Sequence, residues 1–267
     1  MTTESAFTLP NGYWANGVPY RQAHVRALTG EDHLYLAEAC GNLLPATWTT
    51  EALLRCVTLL GADRPDREAI RQLTAGDREA LLLNLRRVTC GDRLPCLLTC
   101  PSCGNKLDLE LNAAELLVPP ASDPRSQHEL RGVVFRLPTG ADQEAVAALA
   151  RTDVVAAASL LLRRCVEGDC DGLEDELQRG MAELDAQAEI ALDVNCGVCG
   201  ASFRVIFDTA GYLMQELKAG LRELYREIHL LAFHYHWSLT EILRMNLGTR
   251  RRFLQLLESE LARGASS

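Results

Sequence analysis

The sequence predicts a helix-rich α+β protein in which two related units are followed by a helical C-terminal module. Three observations support this prediction. Strand-like alternation is followed by helical periodicity twice along the 267 residues. The motif Cys-x-x-Cys-Gly also occurs twice, each time between strand-like runs, whereas residues 209–267 have helical periodicity alone. The predicted boundaries are 1–118 for the first unit, 128–208 for the second unit and 209–267 for the C-terminal module.

A β-hairpin is predicted at the start of the first unit. Ala23, Val25 and Ala27 alternate with polar residues, which is the pattern of a half-buried strand. Asn11-Gly12 and Asn16-Gly17 predict turns, because asparagine and glycine tolerate the positive φ angles of tight hairpin turns.

Three helices are predicted after this hairpin. Thr29 is the expected N-cap of the first helix. The second helix runs through "TEALLRCVTLL" and ends near Gly61. The third begins at Thr74–Asp77, ends at Gly91 and leads through the strand "RLPCLLT" into the first cysteine pair.

The second unit repeats this order after the linker "VPPASDPRSQ". A strand, a helix that begins at Thr139-Gly140, two further helices and the strand "EIALDVN" lead into the second cysteine pair. Thr139-Gly140 matches Thr29-Gly30, and "LRRCV" matches "LLRCV" at nearly the same distance downstream. We interpret the two units as a diverged tandem repeat. Chance similarity between helices rich in leucine and arginine is the alternative.

The C-terminal module is predicted to contain a long amphipathic helix, a tight turn and two further helices. Ser238 and Glu241 form a capping box, in which side chain and backbone cap each other. The short helix that follows runs to Met245. Leu247-Gly248 is expected to break it, and Thr249 is expected to cap the last helix, "RRRFLQLLESELA".

Four cysteines have the spacing of a zinc ribbon: Cys100, Cys103, Cys196 and Cys199. Four thiolates bind Zn²⁺ tetrahedrally, and the glycine after each pair permits the turn that brings two sulfurs together. The predicted cofactor is therefore one Zn²⁺ ion that joins the two units. All four ligands come from the protein, which is typical of a structural rather than a catalytic site.

Cysteine motifs of this kind also occur in other types of site. An iron–sulfur cluster and a redox-active dithiol use similar motifs and stay open alternatives. A local site that includes Cys90 and Cys96 is disfavoured, because Cys96 lies about 13 Å from Cys100 along an extended strand. Cys56 and Cys165 are predicted to be small buried residues.

Composition restricts the function. The net charge of −9 argues against binding to nucleic acid or to anionic membranes, and no apolar run reaches the roughly 18–20 residues of a membrane span. The N-terminal sequence lacks the pattern of an export signal, so a cytoplasmic protein with reduced cysteines is expected. No known catalytic motif occurs, which predicts a protein without enzymatic activity or small-molecule substrate.

The C-terminal module is predicted to bind a partner. His229, His234 and His236 do not share a helix face, so a second metal site is not expected there. Trp237 is expected to pack at the corner after the long helix. The predicted partner-binding residues are His236, Trp237, Arg250, Arg251 and Arg252. The alternative is a zinc-ribbon regulator whose C-terminal helices bind DNA as a helix-turn-helix.

The segment "HLLAFHYHWSLTEILRMNLGTRRRFLQLL" resembles the short tail-assembly proteins of contractile-tailed temperate phages. The matching positions are Phe233, His236, Trp237, Ser238, Glu241, Ile242, Arg251 and Phe253, with Tyr235 as an insertion. The segments "FTLPNGYW", "HVRALTGEDH", "FRLPTGADQEAV" and the sequence around the first cysteine pair resemble the baseplate hub assembly family of T-even phages and contractile injection systems.

The resemblance implies a baseplate or tail-assembly protein that acts as a scaffold, adaptor or chaperone. The implied partners are other baseplate, hub, spike, tube or tape-measure proteins. The implied location is the bacterial cytoplasm, with incorporation into the assembled tail-like particle.

Overall fold

The computed structural model describes residues 4–264, and its architecture is α+β, as predicted. The strands are β1 Glu4–Ala15, β2 Val18–Arg26, β3 Val57–Leu60, β4 Arg93–Thr99, β5 Lys106–Asn112, β6 His128–Leu130, β7 Val133–Phe135, β8 Val166–Glu167, β9 Ala191–Asn195 and β10 Ser202–Ile206. The helices are α1 Gly30–Leu34, α2 Pro45–Cys56, α3 Arg67–Gln72, α4 Ala75–Cys90, α5 Gly140–Ala150, α6 Val154–Cys165, α7 Glu174–Leu184, α8 Thr209–Tyr235, α9 Leu239–Leu243 and α10 Leu247–Gly264. A π-helical segment, Tyr35–Ala39, extends α1.

The strands form four small antiparallel sheets. Two sheets have three strands, in the orders β1-β2-β3 and β6-β7-β8, and the other two are the hairpins β4-β5 and β9-β10. Each two-stranded hairpin carries one cysteine pair at its tip, whereas each three-stranded sheet packs with helices of its own unit. Among the described residues, no helix has both the length and the apolar composition of a membrane span.

The two predicted turns of the first hairpin have different outcomes. Asn16-Gly17 forms the turn between β1 and β2 with positive φ angles, so that prediction is confirmed. The prediction for Asn11-Gly12 is wrong, because this dipeptide lies inside β1, where the pairing with β2 shifts between Thr8 and Tyr13. The backbone amides of Asn11 and Gly12 donate hydrogen bonds of 2.9 and 3.0 Å to the buried carboxylate of Asp77. A tertiary contact therefore produces a bulge here.

The predicted extent of the second helix is also wrong. The helix ends at Cys56, and Val57–Leu60 forms β3 instead, with Val57 paired to Val25 of β2. The structure adds the short helix α3, which was not among the three predicted helices. Asp66 caps it by accepting a hydrogen bond from the Ala69 amide. The predicted caps Thr29 and Ser238 are confirmed, and so is the predicted helix start at Thr74, which caps α4.

The last helix begins earlier than predicted. It starts at Leu247, and the side chain of Asn246 accepts a 2.9 Å hydrogen bond from the Thr249 amide. Thr249 therefore lies inside the first turn and is not the cap. Asn246 supplies the side-chain oxygen that a helix start requires.

The principal hydrophobic core combines β1–β3, the π-helical segment, α2, α3, α4 and the first half of α8. Trp48 is fully buried at its centre, and its indole nitrogen donates to the carbonyl of Leu36 at 3.1 Å. Leu213 and Leu217 of α8 belong to the same core. The N-terminal half of α8 is therefore packed into the first unit. The second unit has a smaller core of its own around Phe135 and Leu177.

Each unit contains a corner where a strand ends and a helix begins. The first corner consists of Arg26, Thr29, Asp32 and Arg55, and the second consists of Arg136, Thr139, Asp142 and Arg164. In both, the aspartate accepts hydrogen bonds from the threonine and from both arginines. Burial would raise the pKa of Asp142, but hydrogen bonds from Arg136 and Thr139 lower it to about 2. These matched contacts favour the tandem repeat, which stays a prediction.

The corner of the second unit packs against the start of α4. Thr139 forms an isolated antiparallel bridge with Thr74, and the Gly140 amide donates to the Leu73 carbonyl at 3.0 Å. The guanidinium of Arg78, a fully buried side chain, lies against Gly140. This contact joins the two units.

The corner of the first unit makes the same kind of contact with the start of α10. Thr29 bridges Asn246, and the Gly30 amide donates to the Met245 carbonyl at 3.0 Å. A buried arginine, Arg250, lies behind this glycine. Both corners therefore rest on a helix start with an arginine in its second turn.

Replacing Gly140 with alanine is expected to destabilise the fold by about 1–3 kcal/mol, the usual cost of forcing an extra methyl group into a packed site. The new Cβ would overlap the Arg78 guanidinium, which Thr50 and Ala46 hold in place. Chemical denaturation measures the change. The control is Gly180→Ala in α7, where a Cβ meets no atom within 4 Å and helix propensity favours alanine. Equal stabilities of the two variants would contradict the assignment.

Candidate metal centre

The two cysteine pairs lie at the tips of the hairpins β4-β5 and β9-β10. Thr99 pairs with Lys106 as the last rung of the first hairpin, and Asn195 pairs with Ser202 at the corresponding place in the second. The residues between these rungs are the two Cys-x-x-Cys-Gly turns. The strand-like runs on both sides of each motif thus position the thiols, as predicted.

The two turns have the same backbone geometry. In the first, the Cys100 amide donates to the Asn105 carbonyl, and the Gly104 amide donates to the Cys100 carbonyl, both at 2.9 Å. The second turn has the same two hydrogen bonds, also at 2.9 Å, among Cys196, Ala201 and Gly200. Gly104 and Gly200 have positive φ angles of 72° and 74°, which explains why glycine occupies both positions.

The four sulfur atoms converge on one point. All four lie within 4.8 Å of one another. Cys100 and Cys199 have their Sγ atoms 3.8 Å apart, and Cys103 and Cys196 have theirs 3.7 Å apart. Four sulfurs about 2.3 Å from a tetrahedral ion are separated by about 3.8 Å, whereas a disulfide requires about 2.05 Å. The arrangement therefore fits a single ion with four thiolate ligands, two from each hairpin.

Hydrogen bonds shift the pKa values of these thiols in different directions. The side chain and backbone of Asn105 donate to Cys103 and lower the pKa of its thiol to about 6. The Ala201 amide favours the thiolate of Cys199, but hydrogen bonds with the neighbouring Cys196 and Cys103 thiols raise its pKa to about 12. Four thiolates at this separation repel one another, and a bound cation removes that repulsion.

A small apolar cluster supports both hairpins. It contains Leu83 of α4, Leu94 of β4, Ala113 and Ile190. The Tyr212 hydroxyl of α8 also donates to the Pro95 carbonyl at 3.2 Å. Apolar packing therefore supports the hairpins at the ends away from the cysteines, and the cysteines bring the two hairpins together at their tips. Cys100 and Cys196 are almost fully buried.

The remaining cysteines lie outside this cluster. Cys90 and Cys96 do not belong to the group that the described residues bring together, so the local four-cysteine alternative is not assembled. Cys56 and Cys165 are 0% and 2% exposed, which confirms that they are small buried residues. Burial raises the pKa of the Cys165 thiol to about 11, so it stays protonated at neutral pH.

Trp237 lies at the corner that follows α8. Its ring stacks on Tyr235 at a centroid distance of 4.7 Å and contacts the edge of Phe253 of α10 at 4.8 Å. His236 is exposed and ends α8 in a left-handed conformation with a φ of 57°. The aromatic cluster thus fixes the angle between α8 and α10.

The three consecutive arginines of α10 have different environments. Arg250 is only 2% exposed; its Nε donates to Glu227 of α8 at 2.7 Å, and its Nη1 donates to the Met245 carbonyl. Arg251 and Arg252 point to solvent. The guanidinium of Arg250 therefore makes contacts within the chain. The position of Arg250 in the sequence did not predict its burial.

Comparison with known protein families adds the decisive observation. The model of the family described as T4 bacteriophage base plate protein matches residues 17–168, more than half of the chain. The chain belongs to this family. The predicted relation to T-even baseplate proteins is thereby confirmed at the level of a T4-like base plate protein. Searches among curated proteins and among solved structures found no match.

The matched residues of this base plate protein include its first cysteine pair and its helices from α1 to α6. The second cysteine pair and the C-terminal module lie outside the match. The resemblance of the C-terminal segment to short tail-assembly proteins stays a prediction.

Proposed function

We propose that this protein is a non-enzymatic assembly component of the baseplate of a contractile phage tail or a related injection system. It serves as a scaffold, adaptor or chaperone for hub, spike, tube, tape-measure or other baseplate proteins. Membership of the base plate family is the observation that carries the proposal. The protein is made in the bacterial cytoplasm and then contacts or enters the tail particle.

The metal centre supports a structural role. Thiolate ligands favour zinc over magnesium or calcium, which prefer oxygen. The sulfur separations fit a single tetrahedral ion, and all four positions are filled by the protein. Such a closed site leaves no position for a reacting water molecule. Zn²⁺ would then hold the tips of the two hairpins together without taking part in chemistry.

The C-terminal module supplies the surface that we expect to contact a partner. This C-terminal surface consists of His236, the accessible edge of Trp237, Arg251 and Arg252. The positive charges of Arg251 and Arg252 on this surface fit an acidic protein partner. Arg250 contributes by fixing α10 against α8 through Glu227.

Association with other tail proteins tests this function. The protein is co-expressed with the tube, spike and hub proteins of the same tail, and the complex is purified by a tag on one of them. The double variant Arg251→Glu with Arg252→Glu should reduce association at least tenfold, because two favourable charges become repulsive. Point variants are preferable to truncation at Gly211, which would remove Leu213 and Leu217 from the principal core.

Arg222→Glu provides the matched control, because it changes an exposed arginine of α8 and should leave association unchanged. Full association of the double variant would contradict the proposed surface. Failure of the unaltered protein to associate with any tail protein, together with salt-dependent binding to DNA, would favour a zinc-ribbon regulator instead.

A further inference from the structure

A groove lies where the first unit, the second unit and α8 meet. Its volume is about 670 Å³, which is in the range of ligand-binding pockets. The lining comes from residues 41–46 and Thr49 of the first unit, from α5, from Glu79 of α4, and from residues 208 and 210 at the start of α8. None of the residues of the C-terminal surface lines this groove, so the two surfaces can be tested independently.

Most of the lining is apolar. The apolar lining residues include Leu43, Leu44, Pro45, Val146, Ala147 and Ala150. Leu43 is 37% exposed, and Ala150 is also exposed, so the apolar surface is accessible from solvent. Surface of this kind packs well against the methylene stem of a long side chain that has a charged end.

Glu79 places a carboxylate in this groove without an ion pair. Among residues 4–264, no lysine or arginine pairs with Glu79 or with Asp208, the second carboxylate of the lining. Arg78 precedes Glu79 in α4, but its guanidinium donates to a threonine hydroxyl and to two backbone carbonyls. The groove therefore has two carboxylates and no bound cation to neutralise them.

The surroundings of Glu79 disfavour its negative charge. Burial raises the pKa of the Glu79 carboxyl to about 7. The hydroxyl of Thr209 and the guanidinium of Arg78 favour the ionised form, whereas Asp208 and Asp185 disfavour it. A cation that entered the groove would stabilise the carboxylate of Glu79.

Thr49 adds a polar group that has no partner. It is only 4% exposed and lines the groove, yet its hydroxyl makes no hydrogen bond with any residue from 4 to 264. Buried polar groups are normally hydrogen-bonded, so this hydroxyl indicates a ligand with a donor. Arg151 at the end of α5 also lines the groove, is exposed and pairs with no described carboxylate, so its charge opposes a bound cation.

An aliphatic chain with a terminal ammonium group complements this lining. The chain packs on the apolar residues, and the three donors of the ammonium group match the oxygen atoms of Glu79, Asp208 and Thr49. We propose that this groove binds a lysine side chain of another tail protein. That the partner is a tail protein rests on the proposed function, whereas the recognition of lysine rests on the groove alone.

A second copy of this chain is a poor source of the lysine. The chain has two lysines, Lys106 and Lys218. Lys218 already donates to the carbonyl of Gly41 at 2.7 Å, and Lys106 lies in the last rung of the hairpin that carries the first cysteine pair. We therefore assign the lysine to a different protein.

A lysine derivative tests the chemistry of the groove directly. N-acetyl-lysine N-methylamide is titrated into the full-length protein, and binding is followed by NMR with the methyl groups of Leu43, Val146 and Ala147 as reporters. The comparison ligand is N-acetyl-norleucine N-methylamide, which has an aliphatic chain without the ammonium group. We expect the lysine derivative to bind at least tenfold more tightly, the usual effect of a charge-assisted hydrogen bond.

Three substitutions make the test specific. Glu79→Gln keeps the size of the side chain, removes its charge and should weaken binding at least tenfold. Arg151→Ala should strengthen binding, because it removes a like charge from the lining. The control is Glu183→Gln in α7, which changes an exposed carboxylate outside the groove and should leave binding unchanged. Circular dichroism checks that each variant is folded.

The pH dependence of binding identifies the carboxylate. Between about pH 6 and pH 8 a carboxyl with a pKa of about 7 becomes ionised, whereas the ammonium of lysine stays protonated. Affinity should therefore rise about tenfold over this range, and Glu79→Gln should remove the rise. Asp208→Asn keeps an oxygen that can cap α8, and it should lower the affinity without removing the rise.

The outcomes distinguish the alternatives. Equal binding of the two derivatives, or binding that Glu79→Gln leaves unchanged, would overturn the proposal. Tighter binding of putrescine would show that the groove takes a free polyamine, and dimerisation that Lys106→Gln removes would show that a second copy supplies the lysine; either result would overturn it. The Arg251 and Arg252 double variant should bind the lysine derivative normally, so failure of the proposed function and failure of this inference are separate results.

Discussion

Replacing Cys196 with serine is expected to abolish metal binding, from one ion per chain to none. The hydroxyl of serine is not ionised at neutral pH and is a poor ligand for zinc, so only three thiolates remain. Because the Cys196 thiol lies 3.7 Å from that of Cys103, its loss affects both hairpins. Elemental analysis of the purified variant measures the stoichiometry.

The same variant should lose about 4 kcal/mol or more of folding free energy, since loss of a structural metal is among the largest effects of a single substitution. Hydrogen exchange should rise first in β4, β5, β9 and β10. Cys90→Ser is the matched control, because Cys90 is exposed and lies outside the cluster. Retention of one metal ion per chain by the Cys196 variant would show that the ligand assignment is wrong.

Replacing Glu227 with glutamine is expected to destabilise the protein by about 3–5 kcal/mol, because the charge of Arg250 then stays buried without a partner. Both side chains are almost inaccessible, at 2% for Arg250 and 4% for Glu227, and their nitrogen and oxygen atoms are 2.7 Å apart. The pair connects α10 to α8 directly behind Gly30. Chemical denaturation measures the loss, and proteolysis should detect an early release of α10.

A double-mutant cycle measures the interaction energy between Glu227 and Arg250. Glu227→Met combined with Arg250→Met should recover much of the stability, because two apolar side chains leave no unpaired charge. The exposed pair of Arg226 and Glu223 provides the control, and breaking it should cost under about 1 kcal/mol. Additive effects in the buried pair would contradict the proposed coupling.

Local features of the fold were predictable from the sequence. The capping residues Thr29, Thr74 and Ser238 bond to atoms within three positions along the chain, so the sequence pattern contains the whole interaction. The cysteine motifs were predictable for a related reason. Each turn is closed by its own backbone and glycine, and a site of four thiolates requires two such pairs to meet.

Features that depend on distant residues were not predictable. The bulge at Asn11-Gly12 exists because Asp77, more than sixty positions away, accepts both amides. Val57–Leu60 continues the apolar run of α2, and only its pairing with β2 makes it a strand. Arg250 is one of three consecutive arginines, and its burial depends on the position of Glu227. In each case the deciding contact is tertiary.

The distance between the two cysteine pairs also orders events during synthesis. Cys103 and Cys196 are 93 positions apart, and ribosomes add about 5–20 residues per second. The first pair therefore leaves the ribosome roughly 5–20 seconds before the second. During that interval the chain has only half of its ligands, and the second unit must emerge before they can be completed. Capture of the proposed metal ion would thus be a late step, and it would mark a chain in which both hairpins have been made.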